Sequence, residues 1–404
     1  MNLSFQQQTD KPARRRELDF LRGVALIVMT LGHPLRTDLQ TYDVDVLRYY
    51  YNIYGELFSA LFMFMSAINV TNFLRSAARH PDLDATRFYL KSSAALFVLG
   101  STYNMIVGTL VVIDIIQAIA VGTLVVYLLL RFRVPTLVIA ALTAALFGVG
   151  WWLVGPWPVG PETMEGMGPL FYLTAMFGPI PWVGFFTYGI IVDRIPRRFE
   201  VPAIVFFAAV FAGAHALPPI SGEVPAIFLF KANPRYVVMA LGLLPVLHLG
   251  CRRWYRGATK AGRVVEYWGT ESLVFLVFHW FFLYLLQLWE AVISLQFGET
   301  LAVWAVGVVT LILMGSTVHL IAAKRDAWLK RPDFPKKAWR VFWGSLIGWA
   351  FMMSAALRMA ATPAGKLPRF LALGCAFGAA FSFTFLYPYL RAQLRRRSMR
   401  KAAA

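Results

Sequence analysis

The sequence predicts an all-α protein: a polytopic membrane helix bundle of about 10–12 transmembrane helices, with both termini in the cytoplasm. Three observations predict this class. Of the 404 residues, 58% are hydrophobic and only 15% are charged, whereas soluble domains are about 25% charged. Apolar runs of roughly 17–25 residues, long enough to cross a bilayer, recur along the whole chain. The positive charge, +18 overall, is concentrated between those runs.

The predicted spans follow from the apolar runs taken in order. Two of them, 201–217 and 234–250, are short or interrupted by Gly and Pro, so the count is ten to twelve. The segments are 18–33, 52–74, 88–107, 109–130, 134–154, 169–192, 201–217, 234–250, 271–290, 299–322, 341–359 and 368–389.

The distribution of charge predicts the orientation. The chain has 39 Lys and Arg against 21 Asp and Glu, and cytoplasmic loops of membrane proteins collect Lys and Arg. When the amino terminus is placed inside, most basic residues fall in the inner segments, which are 11–16, 75–91, 131–133, 194–198, 252–263, 324–340 and 391–401. We therefore expect a multi-pass protein of the cell (inner) membrane, not a nucleic-acid-binding protein.

The domain organisation is simple. We expect a cytoplasmic amino-terminal tail at 1–17, a membrane domain at 18–390 and a basic cytoplasmic tail at 391–404, with only the first and last dozen residues unstructured. Cys251 and Cys375 lie at or within predicted spans and indicate neither a disulfide framework nor a metal site. His215, His248 and His319 lie near span ends, and we assign them structural roles.

The first span carries ionisable residues at an informative spacing. Asp19 and Arg22 are three residues apart and so are neighbours on one helix face. Arg22 and His33 are eleven residues apart, which returns to nearly the same face about 16 Å further along the helix axis. One stripe of this helix would therefore hold a cation near the cytoplasmic surface and an imidazole deep in the membrane, where ionisable residues indicate function.

This stripe suits a long ligand with an anionic head and a reactive far end. Acyl-coenzyme A has that shape, with a phosphorylated nucleotide, an extended arm and a thioester. Its phosphates would lie near Arg22 and the cluster Arg14, Arg15 and Arg16, since the guanidinium fork matches phosphate geometry. Its thioester would reach His33, because histidine is the common general base near neutral pH.

The stretch LDFLRGVALIVMTLGH (residues 18–33) resembles the first helix of the transmembrane acyltransferase superfamily, which includes the acyltransferase-3 proteins and the heparan-α-glucosaminide N-acetyltransferases. Its pattern is an LD-x-x-RG-x-A lead-in with an Arg, ten residues and a His. The matching residues are Leu18, Asp19, Arg22, Gly23, Ala25 and His33.

Four further segments are similar to helices of that group, so that the resemblance covers most of residues 14–290. Segment 58–75 contains Ser66, with Ala67 where Gly is usual, and segment 111–129 contains Asp114 and Gln117. Segment 178–194 matches at Pro181, Trp182, Gly184 and Gly189, with Asp193 where Gly is more usual. Segment 269–286 matches at Gly269, Ser272, Leu273 and His279.

The resemblance implies an integral membrane acyltransferase that moves an acyl group, most simply acetyl, from cytoplasmic acyl-CoA to a hydroxyl or amine of a sugar or glycan. It implies His33 as the catalytic residue, with Asp19 as a second catalytic residue. It implies Arg22 and Arg14–Arg16 as the donor-binding residues. The secondary or substrate residues are His279, Asp114, Gln117, Ser66, Glu56 and Trp182. The implied partners are acyl-CoA, the acceptor and the bilayer, and a homo-oligomer is compatible with the pattern.

Two alternatives stay open at this point. Twelve spans with both ends inside is also a transporter layout, in which Asp114, His279 and Glu56 would form a proton or substrate path; the absence of a half-to-half repeat speaks against it. A scaffold protein leaves the intramembrane charges unexplained. For an acyltransferase, the sequence does not separate direct attack of the acceptor from an acyl-His33 intermediate.

Overall fold

The computed structural model describes most of the chain. The described residues are 15–37, 57–78, 84–107, 113–154, 178–217, 234–255, 259–276, 278, 279, 282, 299–329, 331, 333–358 and 366–400. Within them the ordered elements are α-helices and one short 3-10 helix at Arg197–Phe199, and no strand occurs. This confirms the all-α prediction.

The helices are numbered here in chain order. Their bounds are α1 Arg16–Thr37, α2 Leu57–Ala77, α3 Ala85–Val107, α4 Ile115–Arg131, α5 Thr136–Val154, α6 Pro179–Asp193, α7 Glu200–Ala214, α8 Pro234–Trp254, α9 Lys260–Thr270, α10 Glu299–Leu329, α11 Phe334–Arg358 and α12 Lys366–Arg400. Residues 272–276, 278 and 279 are also helical.

Three of the described helices are long and apolar enough to cross a membrane, by length and composition. They contain the segments Leu57–Arg75, Arg235–Trp254 and Trp304–Ile321. Shorter apolar helical segments are Ile115–Arg131, Thr136–Gly150 and Gly374–Tyr387. The architecture is thus a bundle of apolar helices, while the number of crossings and the cytoplasmic location of both termini remain predictions.

Helix α9 was not predicted, since its first residues fall in the expected inner loop 252–263. It is amphipathic: Lys260 and Arg263 are exposed, whereas Gly269 is buried. Helix α9 packs against α1. A search for long apolar runs misses such a helix, because only one face of it is apolar.

The structure of the carboxyl-terminal tail also differs from the prediction, because α12 continues as a helix to Arg400. The expectation that the last dozen residues are unstructured is therefore wrong for residues 393–400. Arg, Gln and Leu are good helix formers, so the helix runs on beyond the apolar segment that defines the span.

Helix α1 packs against α2, α8, α9 and α10. Helix α2 packs in turn against α4 and α6. Around these lie the pairs α3–α4, α5–α6, α7–α8 and α11–α12, and α3 also contacts α12. The helix with the predicted site is therefore surrounded by packed helices.

Helix α8 is continuous although Pro245 lies inside it. Proline has no backbone N–H, so it leaves the carbonyl four residues earlier without its helical donor. That carbonyl belongs to Leu241, and the hydroxyl of Tyr188 in α6 donates to it at 2.7 Å. The side chain of a neighbouring helix thus satisfies the acceptor that the proline exposes.

Candidate functional site

The charged pair near the start of α1 forms as the spacing predicts. Arg22 Nη1 lies 3.3 Å from Asp19 Oδ1. The Asp19 side chain is 9% exposed and that of Arg22 is 21% exposed. The guanidinium is therefore paired with a carboxylate and is still partly exposed.

His33 lies in α1, eleven residues after Arg22. The helix is continuous between them, so both residues lie on nearly one face, about 16 Å apart along the axis. The side chain of His33 falls outside the described part of the structure. Arg14 and Glu56 also lie outside the described residues.

Two glycines of the resembling motifs meet where α9 crosses α1. A Cβ built on Gly23 would lie 2.0 Å from the backbone oxygen of Val265. A Cβ built on Gly269 would lie 1.8 Å from the backbone oxygen of Asp19. Because backbone atoms cannot move aside, only glycine permits this approach at either position. The structure thereby joins the lead-in of the first helix to the motif of segment 269–286.

The predicted donor-binding residues Arg15 and Arg16 are paired with carboxylates. Arg15 Nη1 donates to Asp193 Oδ1 at 2.9 Å and its Nε donates to Glu17 at 2.6 Å. Arg16 Nη2 donates to Glu266 of α9 at 3.0 Å, and its side chain is 51% exposed. The Arg16 pair is a surface pair of small energetic value, so its guanidinium remains accessible.

A buried ionic cluster at the end of α6 was not predicted. Its centre is Asp193, whose side chain is 1% exposed. Besides Arg15, the groups facing its carboxylate are Arg75 of α2 at 3.3 Å, His248 of α8 at 3.7 Å and Arg252 of α8 at 3.9 Å. Arg252 also pairs with Glu200 at 2.7 Å.

The electrostatics of Asp193 follow from these neighbours. Burial alone would raise the pKa of its carboxyl, but His248 and the guanidinium of Arg15 outweigh burial and hold the pKa below its usual range. The carboxylate is therefore charged at neutral pH. The signal in the sequence was Asp193 itself, an acid in place of the glycine that the resembling family more usually has.

Asp114 and Gln117 are neighbours, and together they cap the start of α4. The Asp114 carboxylate accepts from the N–H of Ile115 at 2.6 Å, and Gln117 Oε1 accepts from the N–H of Asp114 at 3.0 Å. Gln117 also bridges to α3, where it accepts from Asn104 at 2.9 Å and donates to Ser101 at 3.1 Å. These contacts give both residues a structural role.

The remaining predicted residues lie in separate helices. Ser66 of α2 donates to the carbonyl of Phe62 in its own helix at 2.7 Å. Trp182 of α6 is fully buried beside Phe185 and Tyr236. His279 is fully buried, and its Nδ1 contacts the carbonyl of Leu276. Among the described residues, no group of three His, Cys, Asp or Glu is placed to hold a metal ion.

The fold and the site describe a helical membrane protein with an Asp19–Arg22 ion pair near the start of its first helix. The family model for the catalytic region of heparan-alpha-glucosaminide N-acetyltransferase matches residues 14–218. The match covers half of the chain, from the residue before Arg15 to the residues that follow α7, and the protein belongs to this family of membrane acetyltransferases. No curated protein and no solved structure matches the chain.

Proposed function

We propose that the protein is an acyl-CoA-dependent acyltransferase that moves an acyl group, most simply acetyl, from the cytoplasm across the membrane to a hydroxyl or amine of a sugar or glycan. The observation that carries the proposal is the stripe on α1. It joins the Asp19–Arg22 pair to His33 within the part of the chain that the family model matches.

Each residue of the stripe has a defined task in this proposal. Arg22 binds a phosphate of the donor, and Asp19 holds the guanidinium in place from the neighbouring turn. Arg14 and the accessible Arg16 add positive charge where the donor enters, and this charge steers anionic ligands. The extended arm of the donor then covers the distance of about 16 Å to His33.

The chemistry at His33 is acyl transfer. As general base, His33 takes the proton from the acceptor hydroxyl or amine while the acceptor attacks the thioester carbonyl. The carbon–sulfur bond breaks, the acyl group is bound to the acceptor, and the imidazolium returns its proton to the leaving CoA thiolate. In the alternative route His33 attacks the thioester first, and the acceptor then takes the acyl group from the imidazole.

Binding and turnover of acetyl-CoA by the detergent-purified protein test the proposal. The variants are Arg22→Ala and His33→Ala, and the matched controls are Arg131→Ala and His319→Ala, at positions where the side chain is exposed. Thiol release from acetyl-CoA is followed with glucosamine as the acceptor probe.

We expect Arg22→Ala to raise the Kd of acetyl-CoA by tenfold or more, a loss of about 1.4 kcal/mol. His33→Ala should bind acetyl-CoA and release no thiol, while both controls behave as wild type. Full thiol release by His33→Ala would overturn its assignment. A folded wild type that binds no acyl-CoA, or that transports a solute without it, would favour a transporter instead.

A further inference from the structure

We propose that Asp193 is a positioning residue: its carboxylate holds the amino-terminal end of α1 against α6 and α8, and so sets the place of Arg22 toward the donor phosphates. The inference rests on the proposed function, and it concerns a residue that does not itself touch the donor.

The first argument is that basic groups from several helices converge on the Asp193 carboxylate. The Asp193 carboxylate lies at the end of α6 and faces basic groups from three other places in the fold: Arg15 at the start of α1, Arg75 of α2, and His248 with Arg252 of α8. Phe64 of α2 closes one side of the cluster, with its ring centroid 5.7 Å from that of His248. One buried carboxylate thus connects four helices.

The second argument is that, among the described residues, the Arg15–Asp193 contact ties this end of α1 to another helix through a buried carboxylate. Arg15–Glu17 joins residues two apart in the chain, so it does not tie α1 to another helix. Arg16–Glu266 does join α1 to α9, but Arg16 is 51% exposed, and exposed pairs hold geometry weakly. Asp193 is 1% exposed, and a buried pair is far less screened by solvent.

The third argument is the distance to the site. Arg15 immediately precedes α1, and Arg22 lies seven residues later in the continuous helix, about 10 Å along its axis. A shift or rotation of the helix start is therefore passed to Arg22, which contacts the donor phosphate in the proposed function. His33 is a further three turns away, in the part of α1 that α10 packs against at Leu31 and Gly307. Asp193 should thus affect donor binding more than the chemical step.

The chain offers a matched control in Glu200. It is a second buried carboxylate at this end of the bundle, with a side chain that is 3% exposed, and it pairs with Arg252 at 2.7 Å and with Arg253 at 3.8 Å. Both of these arginines belong to α8, so the pairs of Glu200 join α7 to α8 without involving α1. Its loss removes a comparable buried pair and keeps both members of the Arg15–Asp193 contact, although the two clusters share Arg252, which lies 3.9 Å from Asp193.

The experiment compares Asp193→Asn with Glu200→Gln in the full-length, detergent-purified protein. The readouts are the Kd of acetyl-CoA, the Kd of adenosine 3′,5′-bisphosphate as a probe for the phosphate end, the rate of thiol release at saturating acetyl-CoA, and the midpoint of thermal unfolding. We expect Asp193→Asn to raise both Kd values by about tenfold, because a displaced helix start moves Arg22 out of its position toward the donor phosphates. Thiol release at saturation should stay within twofold of wild type.

Glu200→Gln should lower the thermal midpoint to a similar extent and leave both Kd values within twofold. The proposal is overturned if folded Asp193→Asn binds both ligands as wild type does, or if Glu200→Gln weakens binding equally. Wild-type protein that binds no acetyl-CoA overturns the proposed function, and this inference with it.

A second pair keeps the test decisive if Asp193→Asn does not fold. Asp193→Glu retains the charge and moves it by one methylene, and Glu200→Asp is its counterpart. We expect a Kd for acetyl-CoA about threefold higher in Asp193→Glu, because positions in a packed network are coupled, and no change in Glu200→Asp. Equal affinities in the two variants would overturn the proposal.

Discussion

Tyr188 donates a hydrogen bond to the carbonyl of Leu241, 2.7 Å away and in another helix. Leu241 stands four residues before Pro245, the residue whose missing N–H leaves that carbonyl without its helical donor. The contact therefore links α6 to α8 at the point where α8 would otherwise expose a polar group to an apolar surrounding. A buried group left without a partner costs about 1–3 kcal/mol.

Replacement of Tyr188 should reveal this compensation. We expect Tyr188→Phe to lower the free energy of unfolding by about 1–3 kcal/mol, since the Leu241 carbonyl loses its donor. In a Pro245→Ala background the backbone N–H of residue 245 is restored, so the same change should cost much less. Denaturant unfolding in detergent of the four proteins of this double-mutant cycle measures the difference. Equal costs in both backgrounds would contradict it.

The crossing of α1 and α9 should tolerate no side chain at Gly269. Because a Cβ there would lie 1.8 Å from the backbone oxygen of Asp19, Gly269→Ala must push the helices apart, and overpacking typically costs about 1–3 kcal/mol. Gly269→Ala should also weaken acetyl-CoA binding, since it displaces Asp19, which forms an ion pair with Arg22.

Gly148→Ala is the control for that substitution, because a Cβ at Gly148 meets nothing within 4 Å. It should be neutral or slightly stabilising, as alanine is the better helix former by about 1 kcal/mol. Thermal unfolding and acetyl-CoA binding of the two variants compare the sites directly. If both alanine variants behave alike, the close backbone approach is not what requires glycine at 269.

Trp182 should prove to be a packing residue. Its side chain is fully buried, and truncation of a buried Trp to Ala costs about 3–5 kcal/mol. Trp152 is 72% exposed, so Trp152→Ala should cost less than about 1 kcal/mol. Trp182→Phe, which keeps most of the volume, should retain acyl transfer to a sugar. A loss of acceptor affinity without a loss of stability would instead place Trp182 against the sugar.

The pH dependence of stability should report the state of Asp193. The pKa of its carboxyl is lowered in the folded protein, whereas an unfolded Asp titrates near pH 3.9. Its stabilising effect is therefore fully present above about pH 5 and is lost as the pH falls below about 4 toward the folded pKa. Removal of one partner of a buried ion pair costs about 3–5 kcal/mol.

The measurement is the difference in unfolding midpoint between wild type and Asp193→Asn from pH 8 to pH 3. We expect a constant difference from pH 8 to pH 5 that shrinks below pH 4. A difference that changes mainly at and just below about pH 6.5, where an unfolded His titrates, would attribute the effect to His248 and not to the carboxylate.

Helical content and the position of most helices were predictable from the sequence because both depend on local patterns. The apolar run 52–74 became α2, and the run 134–154 became α5. Helix α9 was not predictable in this way, because its burial depends on contact with α1 and its sequence is only half apolar. The continuation of α12 to Arg400 was missed because a hydropathy window measures span length and not helix length.

The contacts of the candidate site were also predictable only where they are local in the sequence. The Asp19–Arg22 pair and the Asp114–Gln117 cap were predictable as neighbours, since three residues make nearly one turn of a helix. Pairs that join distant segments were not, and Arg15 with Asp193 is the clearest case, because the two residues are 178 positions apart. Arg15 was expected to bind the donor, and the structure pairs it with a buried carboxylate.

By itself, then, the sequence determined the all-α class, the apolar spans and the spacing of Asp19, Arg22 and His33, because helix periodicity and hydropathy act within a few turns of chain. Only the tertiary structure decided which distant residues meet. It brings α1 and α9 together at two glycines, places the Tyr188 hydroxyl against the Leu241 carbonyl of α8, and gathers basic groups around Asp193. Those contacts depend on how helices pack, and in a bilayer that packing is governed by small residues and buried polar groups, whose partners a linear pattern does not specify.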